Sequence, residues 1–232
     1  MKEYIKKTLL CIVPLLFAGS VLFANDIYVT QSGDTLDLDI TQDGQNNTVG
    51  NSTTASSSTG ATTTLNIDQI GNSNVITYQI NGATYTGTIN LVGNSNNVDL
   101  NCDSTGNNSS CGTANAVINF TGNSNDIDLD IGQTSSATSA DVDIVGQSGS
   151  DSNVVAATVD GNSAILTITV NGDTNNWLID MDGNGDINGH TLIHTHTGGI
   201  ADVDIVQSGV NDQMITLTTS GDNHDIDIQQ TD

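Results

Sequence analysis

The sequence predicts an all-β fold, a two-layered β-solenoid of strand–turn–strand repeats with about 22 residues per coil and loop insertions. Three observations predict it. Glycines recur at steps of 11 or 12 residues: Gly33 and Gly44; Gly71, Gly82 and Gly93; Gly149, Gly161, Gly172 and Gly183; Gly198, Gly209 and Gly221. Between the glycines apolar residues alternate with polar ones, the period of a half-buried strand. The polar partners include many aspartates, and no Lys or Arg follows Lys7.

One clean unit shows how the repeat makes a core. Leu36, Leu38, Ile40 and Gln42 share one strand face; Asp37, Asp39 and Thr41 share the other. A buried carboxylate needs a partner, and there is no cation to supply one, so the Asp face is outside. Gly44 reverses the chain, and Asn47, three residues on, is placed to bond turn backbone or take a left-handed conformation. Gln69, Gly71 and Asn74 repeat this pattern, and Gly93/Asn96, Gly122/Asn125 and Gly172/Asn175 repeat the turn. Gln207 and Gly209 keep the first half of it. The final unit carries Ile215, Leu217, Gly221, His224, Ile226 and Ile228.

Gln31, Gln42, Gln69 and Gln207 are expected to point inward and form amide ladders between coils. Asp37/Asp39, Asp141/Asp143 and Asp202/Asp204 are expected on one layer, Asp128/Asp130 and Asp225/Asp227 on the other. One extra residue near Gly146 to Gly149 reads as a bulge. Insertions near 50–63, 101–114, 132–140 and 184–197 fall between units and should loop out at corners. Roughly seven coils at the strand spacing give a rod about 34 Å long.

Residues 1–24 read as a secretory signal: Lys2, Lys6 and Lys7, then an apolar stretch from Leu9 to Ala18, then small residues offering cleavage after Ser20 or Ala24. Residues 25–232 form the repeat domain, with no further segment long and apolar enough to span a membrane. From residue 25 on there are 26 aspartates and no Glu, Lys or Arg. Such a chain is unsuited to nucleic acid, whose binding needs cations to displace counterions. Cys102 and Cys111 flank a polar, turn-rich loop, and an exported compartment permits a disulfide between them.

Two stretches invite a metal. Asp180, Asp182, Asn184 and Asp186, with Gly185, match the opening of a calcium loop, but position 12 is Thr191 rather than glutamate. His190, His194 and His196 share one parity and so one strand face, which suggests Zn²⁺ or Cu²⁺, although a flat strand spreads the imidazoles. No cofactor is required by the sequence; calcium is the candidate. No nucleophile elbow, phosphate loop or acid–base pair stands out, so an enzyme is not expected.

The pattern Gln-x-Gly-x-x-Asn, at Gln42-x-Gly44-x-x-Asn47 and Gln69-x-Gly71-x-x-Asn74 with alternating apolar residues on both sides, resembles the curlin repeat of curli fibre subunits. The resemblance covers most of the chain after the signal. Gln207-x-Gly209 has Asp212 where Asn would stand, and Leu91, Phe120 and Val170 replace Gln in other units. The resemblance implies a secreted, amyloid-type fibre subunit that self-associates into filaments. It also implies service in adhesion and biofilm matrix, and a dedicated outer-membrane secretion and nucleation apparatus. The alternative is a monomeric secreted β-solenoid binding Ca²⁺, carbohydrate or ice through an outer face. Thr84, Thr86 and Thr88, and Thr216, Thr218 and Thr219, motivate ice, but by spacing they do not recur in every coil.

Overall fold

The computed structural model describes residues 24–50, 53–102, 111–132, 139–147, 149–161, 163–182, 189–209 and 213–231. The expected signal segment, residue 24 excepted, lies outside them. The strands run β1 (Ala24–Ile27), β2 (Thr30–Ser32), β3 (Thr35–Asp43), β4 (Asn46–Val49), β5 (Ser56–Ile70), β6 (Ser73–Val92), β7 (Ser95–Cys102), β8 (Thr113–Thr121) and β9 (Asp126–Ile131). They continue as β10 (Ser139–Gly146), β11 (Val154–Val159), β12 (Ala164–Asn171), β13 (Asn175–Met181), β14 (Thr191–Thr197), β15 (Ala201–Ser208), β16 (Met214–Ser220) and β17 (His224–Thr231).

Each strand pairs, in parallel, with the strand one coil away, so the chain winds as a β-solenoid. One sheet stacks β3, β5, the second half of β6, β8, β10, β12, β14 and β16. The other stacks β1, β4, the first half of β6, β7, β9, β11, β13, β15 and β17. Eight strands in the first sheet make seven steps, a rise of about 34 Å at the spacing of paired strands, and the second sheet has one strand more.

Between the sheets lies a narrow aliphatic core. Ile40, Ile67, Ile89, Ile118, Ile144 and Ile168 form one in-register column, all buried. Val49, Ile76, Val98, Ile127, Val155 and Trp177 form its counterpart in the other sheet. Large side chains are matched by small ones in the next coil. Phe120 aligns with Gly146, where a Cβ would come within 2.7 Å of the Phe120 ring.

The register survives insertions because the extra residues stay at the corners. Partners lie 22 residues apart where nothing is inserted, as in Leu65 with Gly87 and Val155 with Trp177. They lie 27 apart for Val49 with Ile76 and 29 apart for Thr84 with Thr113. Two expected insertions are narrower than the sequence suggested. The first is confined to 50–55, since β5 resumes the ladder at Ser56 through Thr63. The last ends by His190, because Thr191–Thr197 is a fully paired strand. Hydroxyl-rich composition suggested loop at both places, yet Thr is at home in strands.

One further expectation needs correction. Asp202 and Asp204 lie in the same sheet as Asp225 and Asp227, not with Asp37 and Asp39, because insertions shift the residue count without shifting the coil. The corner glycines do take the expected positive φ at Gly122 (130°), Gly209 (153°) and Gly221 (143°), and a second constraint acts beside it. Gly71, Gly93 and Gly122 stack one above another, and a Cβ on Gly93 would overlap the carbonyl oxygen of Gly71. Close backbone approach requires glycine at Gly71 and Gly93, and adds to the positive φ at Gly122. The left-handed residues at several corners are the ones just before the Asn: Ser124 (φ 58°), Ser152 (φ 56°) and Thr174 (φ 58°).

Gly93→Ala is therefore expected to destabilise the fold by more than about 2 kcal/mol, as backbone cannot yield on both sides of the corner. Urea unfolding followed by circular dichroism measures it; an unchanged midpoint would refute the close-contact explanation.

Candidate functional site: corner ladder, open ends and outer faces

The repeat residues assemble one continuous feature. Asn47, Asn74, Asn96, Asn125, Asn153 and Asn175 are all buried and stand in a single column. Each donates its amide N–H to the next side-chain oxygen: Asn47 to Asn74 at 3.1 Å, Asn74 to Asn96 at 2.7 Å, Asn96 to Asn125 at 2.5 Å, Asn125 to Asn153 at 2.6 Å and Asn153 to Asn175 at 2.5 Å. The second amide N–H closes the corner on backbone. Asn125 donates to the Gly122 carbonyl and Asn175 to the Gly172 carbonyl, both at 2.7 Å. Gly-x-x-Asn is thus a corner whose last residue fastens its own turn and the next coil together. Asn153 was missed in the sequence because Ser150 stands where the glycine would; Ser150-x-x-Asn153 keeps the amide alone.

The glutamines divide. Gln42 and Gln69 are buried and Gln69 donates to Gln42 at 2.6 Å. Gln207 is buried and accepts from Gln230 at 3.1 Å. Gln31 is only half-buried and aligns with Ser58, so it joins no glutamine ladder. Gly44 and Gly209 sit at corners, their N–H groups bonded to the Ile70 and Thr231 carbonyls at 2.8 and 3.1 Å.

Near the far end the ladder changes chemistry. Ala201 takes the asparagine position above Asn175, and His224 takes it above Ala201. His196 reaches across from the opposite sheet, its Nδ1 3.3 Å from the Asn175 amide nitrogen, and stacks edge-on against His224 with centroids 5.2 Å apart. His190, His194 and His196 do share one face, and it is the inner one: all three are buried. His194 packs edge-on against Trp177 at 5.1 Å. Both of its ring nitrogens are buried without a hydrogen-bond partner. Burial, then the neighbouring His196, pushes His194 down to about 4. Burial also lowers His196, helped by His224 and opposed by Asp173. Among the described residues, no three His, Cys, Asp or Glu side chains gather as a metal ligand set.

Asp180 is half-buried and Asp182 exposed. Asp182 accepts from Ser208 at 2.6 Å, and its own N–H donates to Asp160 at 3.1 Å. Asn184 and Asp186 lie outside the described residues. The Cys102 and Cys111 sulfurs are bonded to each other, with Cα atoms 5.5 Å apart and both side chains buried. Closing the loop between them contributes about 2–3 kcal/mol by restricting the unfolded chain.

Outside, asparagine separates many of the carboxylates. Asn66 donates to Asp39 at 2.8 Å and Asn90 to Asp68 at 2.6 Å. Direct oppositions remain at Asp99 with Asp128, Asp202 with Asp225 and Asp204 with Asp227. Partial burial raises Asp99, and burial followed by Asp130, Asp99 and Asp126 raises Asp128. On the sheet containing β3, outward charge is confined to β3, β5 and β10; the second half of β6 with β8, and then β12, β14 and β16, carry no charged residue on their outward side.

At both ends the ladders stop unpaired. Among the described residues β1, β2 and β3 pair only toward β4 and β5, and β16 and β17 only toward β14 and β15. The inward residues of these terminal coils are incompletely covered. Ile27, Leu36 and Leu38 at one end and Ile215 and Ile226 at the other are partly buried, and Ile228 is 48% exposed.

Two outcomes follow. Asn125→Ala should cost about 2–3 kcal/mol by leaving neighbouring buried amide groups unsatisfied, read from urea midpoints; a cost near zero would remove the ladder as a stabilising element. For His194, the folded-state value lies below the unfolded one, so the unfolded chain binds the proton first and stability falls as pH drops from about 6.5 toward 4. The raised carboxyls of Asp99 and Asp128 act oppositely, favouring the fold at low pH and losing that contribution as pH rises through their raised values. His194→Leu is expected to stabilise the rod at neutral pH by about 1–3 kcal/mol and to flatten the loss toward pH 4, measured by melting at a series of pH values.

No protein-family model, curated protein or solved structure matches the chain.

Proposed function

We propose that this chain is a secreted structural subunit of a curli-like extracellular fibre, joining end to end and serving adhesion and biofilm matrix. The observation that carries the reading is the pair of open ends. Each presents unpaired backbone groups beside a half-covered apolar row, the condition under which a sheet edge templates another strand. A head-to-tail contact of this kind does not close on itself and so grows a filament.

The residues at the two ends suit each other in the register that the coils already use. Extending the nine-strand sheet by one rung sets Ile27 on Ile226 and Gln31 on Gln230, while the eight-strand sheet, one strand shorter, leaves the Leu38 and Ile40 columns one rung short of Ile215 and Leu217. Asp26 against Asp225 is the like-charge opposition this register creates between the described strands. Such a pair in water costs on the order of 1 kcal/mol and is screened by salt. Export and nucleation would fall to a dedicated outer-membrane apparatus, as the curlin resemblance implies.

Electron microscopy of the exported chain after prolonged incubation is expected to show unbranched filaments, appearing sooner at high salt. Ile228→Lys places a charge on the inner row at one open end and should stop elongation while leaving circular dichroism unchanged. Leu178→Lys, on the outer side, should not stop it. Persistent monomers of the unaltered chain at high salt would overturn the reading.

A further inference from the structure

The outward side of β12, β14 and β16 is the longer of two uncharged patches on its sheet, the other being the second half of β6 with β8. Parallel pairing lines up Thr167, Ile193 and Thr216 in one outward column and Thr169, Thr195 and Thr218 in the next. Ile165 and Met214, 42% and 51% exposed, flank them. Offsets of 26 and 23 residues separate these rungs, so the alignment cannot be seen as a sequence period. In a chain with 26 aspartates after its signal segment, three successive rungs without a carboxylate form a bounded platform.

We propose that this platform binds ice. The argument rests on lattice, chemistry and area. The columns repeat at about 4.8 Å along the rod and outward residues at about 6.7 Å along a strand, a rigid two-dimensional net. Water oxygens on a prism face of ice repeat at intervals close to both. Threonine is β-branched and stiff at χ1, so its hydroxyl stays on the net. It both donates and accepts, while its methyl group and the neighbouring isoleucines disfavour disordered hydration. A carboxylate would hold its own tight water shell, and none is present on these rungs.

Other occupants fit less well. The platform covers roughly 400 Å², about half of what each partner contributes to a stable protein interface of standard size, about 800 Å². A glycan surface is gripped by exposed rings, whereas Trp177, Tyr78, Tyr85 and Phe120 are all fully buried. A crystalline surface needs only many weak, regularly spaced contacts, and repetition along a rod multiplies them. The platform faces sideways, so ice binding and end-to-end growth are independent.

The test measures thermal hysteresis and inhibition of ice recrystallisation with the exported chain. Hysteresis with shaped crystals is expected. Thr195→Tyr, at the centre of the platform, should abolish both while leaving circular dichroism and filament formation unchanged. Thr158→Tyr, on the opposite sheet, should preserve them. Absence of hysteresis from the folded, unaltered chain would overturn the proposal. So would hysteresis that survives Thr195→Tyr, retention on cellulose or chitin without ice shaping, or a dimer in solution that Thr195→Tyr disrupts.

Discussion

A buried column of asparagine amides holds every other feature of this rod in place. Six side chains from Asn47 to Asn175 bond to one another along the axis and most also bond to corner backbone. A buried amide tolerates no missing partner, because an unmade hydrogen bond in a dry corner costs more than a made one contributes. A slip of one residue would turn every inward Asn and Ile outward and every Asp inward. The ladder and the charge pattern therefore specify the same register from opposite sides of each strand.

That register is what allows the coil length to vary. With the corner fixed, five to seven extra residues between Val49 and Ser56 or between Cys102 and Thr113 leave without disturbing the strands on either side. The disulfide between Cys102 and Cys111 pins the neck of one such excursion. Glycine columns serve the same end, letting successive corners approach until only backbone fits between them.

Charge shapes the outside and histidine shapes one end. With no Lys or Arg after Lys7, carboxylates are managed by exposure and by alternation with Asn, and where burial and neighbouring carboxylates act on Asp128 its pKa is raised. At the far end imidazoles take over from amides: His196 crosses to Asn175 and meets His224 at the ladder's last position. Burial lowers His194 and His196 beside this end, so their protonation opposes the fold there. One of the two open ends thus lies beside the buried histidines.

The strand period, the inward and outward sets, the Gly-x-x-Asn corners and the paired cysteines were all legible in the sequence, because each depends on neighbours within a dozen residues. The solenoid itself followed from their repetition. What the sequence left open were relations between coils. Whether Gln42 meets Gln69 while Gln31 meets Ser58, why Asp202 joins Asp225's sheet, how Asn153 completes the ladder without a glycine, and that Thr169, Thr195 and Thr218 stand in line were decided only by the tertiary structure. The physical reason is that strand pairing counts coils, not residues. Insertions of different length scramble residue spacing while hydrogen bonding between coils restores it.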